Sequence, residues 1–193
     1  MNIFCSILDV SNTIQKKTDN DREDRITTRI CARLNWIPAF RDGPLAIHPQ
    51  QEIFSQDIDA DHVAGRVDIL VSCGRGSHVY FAIEAKRLRF HTPKGKFKTG
   101  NDEYVNAGMM RFVSGQYAPL METGAMLGYV YDGETGKARS GVASYIRGKE
   151  KELRLRKPKR LMRSEILPDK NVDETNHDLG QRAFTIYHIF TGV

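Results

Sequence analysis

Gly65-Arg66-Val67-Asp68, fifteen intervening residues and then Glu84-Ala85-Lys86 bring two carboxylates and an amine within one short apolar stretch. Side chains alternate along a strand, so Glu84 and Lys86 share a face with Tyr80 and Ala82, while Val79, Phe81 and Ile83 take the opposite one. A charge on such an apolar strand is costly to bury unless it is paired or binds a metal. If the strand carrying Asp68 pairs with this one, its carboxylate reaches the same spot. Two carboxylates repel, and a divalent cation relieves that. Oxygen ligands alone favour Mg²⁺ or Mn²⁺ over zinc. Such an ion polarises a phosphoryl oxygen and acidifies a bound water. Lys86 is then placed to position that water or to stabilise charge developing on phosphate. The plain alternative is a surface hairpin with an exposed Glu–Lys pair, which contributes little; the apolar register around the charges speaks against it.

The elements that must hold these residues follow from pattern. Arg66 to Val71 is β-branched and strand-like after Gly65, Gly74 to Ser77 signals a turn, and Val79 to Lys86 is the next strand, giving an antiparallel hairpin. Upstream, a short helix is expected within residues 1–17. A second is expected at about 22–35, capped by Asp21, with Ile26, Ile30 and Leu34 as its inward stripe and Glu23 at the edge of that stripe. A strand is placed at 51–58. Downstream come a polar, basic loop over 87–100, a helix from 101 or 102 to about Tyr117, a buried strand from Gly124 to Tyr131, a helix over 135–150 and a final strand from Ala183 to Phe190. Residues 152–180 carry no assignable pattern. The order predicts an α/β single domain over residues 1–193, with a central mixed sheet flanked by helices. Its core is expected at about 20–131, with a basic C-terminal extension over 147–193.

Composition limits the function classes. At 193 residues, 40% hydrophobic and 27% charged, the chain suits one globular domain. No run approaches the roughly 18 apolar residues of a membrane span, and the N-terminus lacks the basic start of a signal peptide. Cys5, Cys31 and Cys73 are scattered and odd in number, which argues against a disulfide framework or a zinc site and fits a cytoplasmic location. The six histidines form no HxxxH or HxH cluster, and neither a phosphate-binding G-x-x-x-x-G-K-[ST] loop nor a G-x-S-x-G elbow is present. The net charge of +5 is compatible with a polyanionic partner.

The Asp68…Glu84-Ala85-Lys86 pattern resembles the signature of the PD-(D/E)xK nucleases, the restriction-endonuclease-like superfamily. The likeness covers roughly residues 20–131; Val67 stands where the nominal motif has Pro. It implies a restriction-endonuclease-like core in which Asp68, Glu84 and the carbonyl of Ala85 bind Mg²⁺ or Mn²⁺ and Lys86 assists the attacking water. Glu23 corresponds to the additional Glu that many members carry on the preceding helix. Gln116, Arg111 and Tyr117 fall where some members place polar residues facing the site. The implied activity is that of a DNA endonuclease in phage defence, restriction or repair, with a homodimer or a partner subunit of a larger complex as expected assemblies. Two other readings stay open: an RNA or single-strand nuclease of the same fold, and a non-catalytic module that binds nucleic acid or protein.

Two basic stretches bear on a nucleic-acid partner. Arg87, Arg89, Lys94, Lys96 and Lys98, interleaved with Phe90, His91 and Phe97, follow Lys86 directly and are expected, with Arg111, to contact phosphates. Residues 147–163 hold nine Lys or Arg and two acids, for which a solvated basic face is the default reading.

Overall fold

In the computed structural model, which describes residues 3–74, 79–167 and 171–193, a seven-stranded mixed sheet runs through the molecule in the order β1-β2-β3-β6-β9-β8-β7. The first three strands, β1 (Leu45–Phe54), β2 (Val63–Cys73) and β3 (Tyr80–Leu88), form an antiparallel meander. Next, β6 (Thr123–Val130) and β9 (Ala183–Gly192) lie parallel to β3, and β8 (Val172–Asp178) and β7 (Met162–Arg163) close the far edge antiparallel.

Helices cover both faces. On one pack α1 (Ile3–Ser11), α2 (Glu23–Leu34) and α3 (Pro38–Arg41), through Ile7, Ile26, Ile30 and Leu34. On the other lie two crossover units. One is a continuous rod of α4 (Asn101–Tyr104), a π-helical turn (Val105–Met109) and α5 (Met110–Val113); the other is α6 (Thr135–Gly148). With both faces covered, β6 is buried along nearly its whole length, which is why Gly124 to Tyr131 reads as continuous apolar sequence rather than alternation.

The hairpin expected from sequence is present, with Ile69 facing Ile83 and Ser72 facing Tyr80; Arg75 to Ser77 of its expected turn lie outside the described residues. Several expectations change. The strand placed at 51–58 is β1, shifted to 45–54. Pro49 disguises it, and is tolerated because β1 is an edge strand with no ladder on its outer side. Asp21 does not cap α2: the N-cap is Arg22, without a side-chain cap, and the Asp21 carboxylate instead accepts from the Lys17 amide and pairs with Arg29. Residues 87–100 are not an open loop. Phe90–His91 (β4) and Phe97–Lys98 (β5) pair as a small hairpin, with Phe90 buried against Tyr131.

The largest correction concerns residues 147–193. Expected as a basic extension with a single strand at Ala183 to Phe190, they supply three of the seven sheet strands. The sequence of β8, Val-Asp-Glu-Thr-Asn-His-Asp, has no apolar pattern, yet five of its seven residues are buried. A hydrogen-bond relay makes that tolerable. The Leu153 carbonyl can only accept, so His177 Nδ1 donates to it (2.7 Å) and Nε2 must accept from Thr175 Oγ1 (2.8 Å). That hydroxyl therefore accepts from His188 Nε2 (2.9 Å), leaving His188 Nδ1 to accept from the Tyr104 hydroxyl (3.0 Å). Both rings and the Thr175 hydroxyl are satisfied within this relay with both imidazoles neutral. Next to it, Asp173 is held by Arg139 through two 2.7 Å bonds.

Candidate active site

The β2–β3 ladder ends at the Ile69–Ile83 pair, and beyond it the site opens. Where the next backbone bonds would form, the Ala85 amide donates to Asp68 Oδ2 (2.8 Å). Asp68 Oδ1 accepts from Gln50 Nε2 (2.8 Å) across the β1 side. Gln50 stands between the Pro49–Ile69 and Gln51–Val67 pairs, and its backbone is left-handed, φ 52°. Non-glycine residues adopt that conformation at a cost of about 1 kcal/mol or more, and such strain clusters at functional sites. The Asp68 carboxylate is thus clamped through both oxygens by two strands.

Glu84 is 1% exposed. Its Oε1 accepts from Lys86 Nζ (2.6 Å) and Arg111 Nη1 (3.1 Å), whereas the equally buried Oε2 has no partner among the described residues. Lys86 Nζ also donates to the Ala85 carbonyl (2.9 Å) and lies 3.6 Å from Glu23 Oε1. Glu23 reaches down from the first turn of α2, its Oε2 accepting from the Arg87 amide (2.8 Å). Arg111 is braced by the Tyr117 hydroxyl (2.5 Å), which itself donates to the Arg66 carbonyl on β2 (2.5 Å).

The structure therefore brings Asp68, Glu84, Ala85, Lys86, Glu23 and Arg111 together. Gln116 is elsewhere: its amide donates to the Ala64 carbonyl (2.6 Å), buttressing β2 rather than facing the carboxylates. Gly65 permits this approach, since a Cβ there would lie 2.7 Å from the Gln116 amide nitrogen and 2.9 Å from the Tyr117 ring. Of the basic residues after Lys86, only Arg87 lines the cleft, its guanidinium 4.3 Å over the Phe90 ring. Arg89 pairs with Asp132, Lys98 pairs with Glu103, and Lys94 and Lys96 are exposed between β4 and β5.

Beside these groups opens a cleft of about 350 Å³ lined by Arg22, Glu23, Asp24, Gln50, Arg66, Asp68 and Arg87. Gln50, Arg22 and Arg66 had no distinguishing pattern in sequence. Arg66 sits two residues before Asp68, Arg22 opens α2, and Gln50 is placed only by β1 register.

Electrostatics follow from packing. Burial, and then the neighbouring Asp68 carboxylate, push Glu84 up to about 7 against the pull of Lys86 and Arg111. Burial likewise raises Glu23, with Lys86 opposing and Asp68 adding. Burial disfavours the Lys86 ammonium, but Glu84 and Glu23 outweigh it and its pKa is raised.

The donor set fits a hard divalent cation: a backbone carbonyl and two carboxylates, one of which, Glu84, keeps a buried oxygen without a partner. Among the described residues, no group of three His, Cys, Asp or Glu closes around a point. An ion here would thus be completed by the Ala85 carbonyl, water and substrate oxygens, as suits Mg²⁺. No family model, curated protein or solved structure matches this chain.

Proposed function

We propose that this chain is a metal-dependent nuclease of the PD-(D/E)xK type that hydrolyses phosphodiester bonds of DNA. One observation carries the reading: the buried, half-unpartnered Glu84 carboxylate beside Asp68 and Lys86, where two antiparallel strands part. A surface ion pair would not bury its acid or leave one of its oxygens unmatched. Supporting it are the antiparallel meander followed by parallel strands and the position of Glu23 on the preceding helix.

Asp68, Glu84 and the Ala85 carbonyl would hold Mg²⁺ or Mn²⁺. When bound, the ion supplies Lewis-acid polarisation and an acidified water. The protein's own groups do the rest. The Gln50 and Ala85 donors fix the Asp68 carboxylate, so little reorganisation is needed. The Lys86 ammonium, on a strand that orients it, hydrogen-bonds the attacking water and offsets charge growing on the phosphate. Arg111 anchors Glu84, while Arg22, Arg66 and Arg87 around the cleft meet phosphate oxygens. The same proposal includes endonucleolytic cutting, a homodimer that places one site on each strand, and service within a defence or repair complex.

Plasmid and linear DNA in Mg²⁺, Mn²⁺ or EDTA test it. Metal-dependent cutting is expected for the native chain, with a loss of at least a hundredfold in Glu84→Ala and Lys86→Ala. Cutting of closed plasmid identifies an endonuclease. Cutting that persists in EDTA or in both variants refutes the site. RNA and single-stranded DNA in parallel decide the substrate, and gel filtration with and without DNA decides the dimer.

A further inference from the structure

The far edge of the sheet carries the protein's excess positive charge. Nine Lys or Arg against two Glu over residues 147–163 leave +7; since the whole chain carries +5, all its other residues together carry −2. This segment alone therefore outweighs the net charge of the whole chain. Glu150 and Glu152 are engaged by Lys159 (3.6 Å) and Lys149 (2.8 Å), and Arg163 lies 3.8 Å from Asp173. The remaining six, Arg147, Lys151, Arg154, Arg156, Lys157 and Arg160, are exposed and have no ion pair among the described residues.

This segment is built into the fold. Leu153, Leu155 and Leu161 are buried in the core that holds α6. The backbone runs beside β8, with the Arg156 amide donating to Asn176 O and the Asp178 amide donating to Arg154 O (both 2.8 Å); His177 holds the Leu153 carbonyl. Alternation of Leu153, Arg154, Leu155 and Arg156 turns leucine in and arginine out. Arg154 and Lys159 adopt left-handed backbones, φ 51° and 55°. Like charges fixed at close quarters repel and destabilise the compact state, and two strained residues add to that cost. A polyanionic partner offsets both.

We propose that this edge is a second nucleic-acid contact surface, which grips the phosphate backbone of a duplex without reading its sequence. Residues 147–163 contain no aromatic side chain on which an unpaired base could stack and no Asn or Gln to read a base edge. They expose no large hydrophobic residue of the kind that enters a lipid interface. The surface is also separate from the cleft. Four strand steps of about 4.8 Å, through β6, β9 and β8, set it roughly 19 Å from β3 across the sheet. Its charge and anchoring stand whether or not the cleft cuts phosphodiesters.

Fluorescence anisotropy of a labelled 20-base-pair DNA duplex in EDTA, across a salt series, tests the surface with the full-length chain. Each lost phosphate contact lowers the slope of log affinity against log salt by about 0.9. The Arg154→Gln, Arg156→Gln, Arg160→Gln triple variant is expected to lower it by about 2.7 and to weaken binding at least tenfold at low salt. The corresponding triple Arg→Lys variant should keep the native slope, which separates lost charge from misfolding. Duplex RNA of the same length should compete, whereas oligo-dT and vesicles of phosphatidylserine and phosphatidylcholine should compete poorly. An unchanged slope in the Gln variant, or preferred binding of oligo-dT or of the vesicles, overturns the proposal. Duplex binding without cutting would sink the nuclease reading and spare this edge; cutting with an unchanged slope would do the reverse.

Discussion

Gln50 and Glu84 show what single residues contribute. Gln50 holds a left-handed backbone and donates to Asp68. Gln50→Gly and Gln50→Ala both remove the donor, and only Gly relieves the left-handed strain, so the Gly variant should be more stable than the Ala variant by about 1 kcal/mol while metal-dependent cutting falls about tenfold in both. Thermal melts alongside rates separate the two. Glu84 gives a signed pH effect. In the metal-free protein, burial and the neighbouring Asp68 carboxylate push it from its ordinary 4.5 up to about 7. The folded state therefore holds the extra proton, and this group's stabilisation is complete below about 4.5 and lost as pH rises through 7. In denaturant titrations in EDTA between pH 4.5 and 7, the native chain should lose stability relative to Glu84→Gln as pH rises. A difference between the two proteins that does not change with pH would place the effect in another group.

At the scale of elements, β8 stands because its polar side chains satisfy one another. Burial holds His177 down at about 4, and burial together with His177 and Arg139 holds His188 well below its ordinary value. Both imidazoles are neutral in the fold, so their contribution is present above the unfolded pKa near 6.5 and lost as pH falls toward 4. Each group should cost up to about 1.4 kcal/mol per pH unit across that window. This trend opposes that of Glu84, and the two separate in Glu84→Gln, where the acid-side loss should remain. Thr175→Val removes the hydroxyl that links the rings and should destabilise by about 1–3 kcal/mol, because it strands a donor on His188 and an acceptor on His177. A Thr175→Val melt equal to that of the native chain would show that the relay contributes nothing.

For the molecule as a whole, the central row of the sheet links the candidate site to the basic edge. Glu84 on β3 faces Met126, Met126 faces His188, and His188 faces Asp173 on β8. The candidate cleft and the basic edge lie toward opposite margins of one sheet. If the cleft holds a divalent cation, binding must stabilise that whole layer. Mn²⁺ at a hundred times its dissociation constant should add about 2.7 kcal/mol to unfolding. The shift should vanish in an Asp68→Asn, Glu84→Gln double variant. An equal Mn²⁺ shift in that variant would place the ion elsewhere.

Sequence alone determined the hairpin, the facing of Glu84 and Lys86, the α2 stripe and the mixed α/β class, because these rest on local periodicity, which burial on one or both faces imprints directly. It also marked Asp68, Glu84, Lys86 and Glu23, since charges within apolar runs stand out. It could not show β8, whose buried residues are polar, or β1 in register, where Pro49 hides an edge strand. Nor could it separate Arg87, which faces the cleft, from Arg89 and Lys98, which are engaged by acids from other elements. The tertiary structure alone decided that Gln50 clamps Asp68, that Gln116 braces a strand and that residues 147–163 form a fixed edge. Each of these depends on contacts between residues far apart in the chain, and local sequence pattern carries no record of which distant partner will satisfy a polar group.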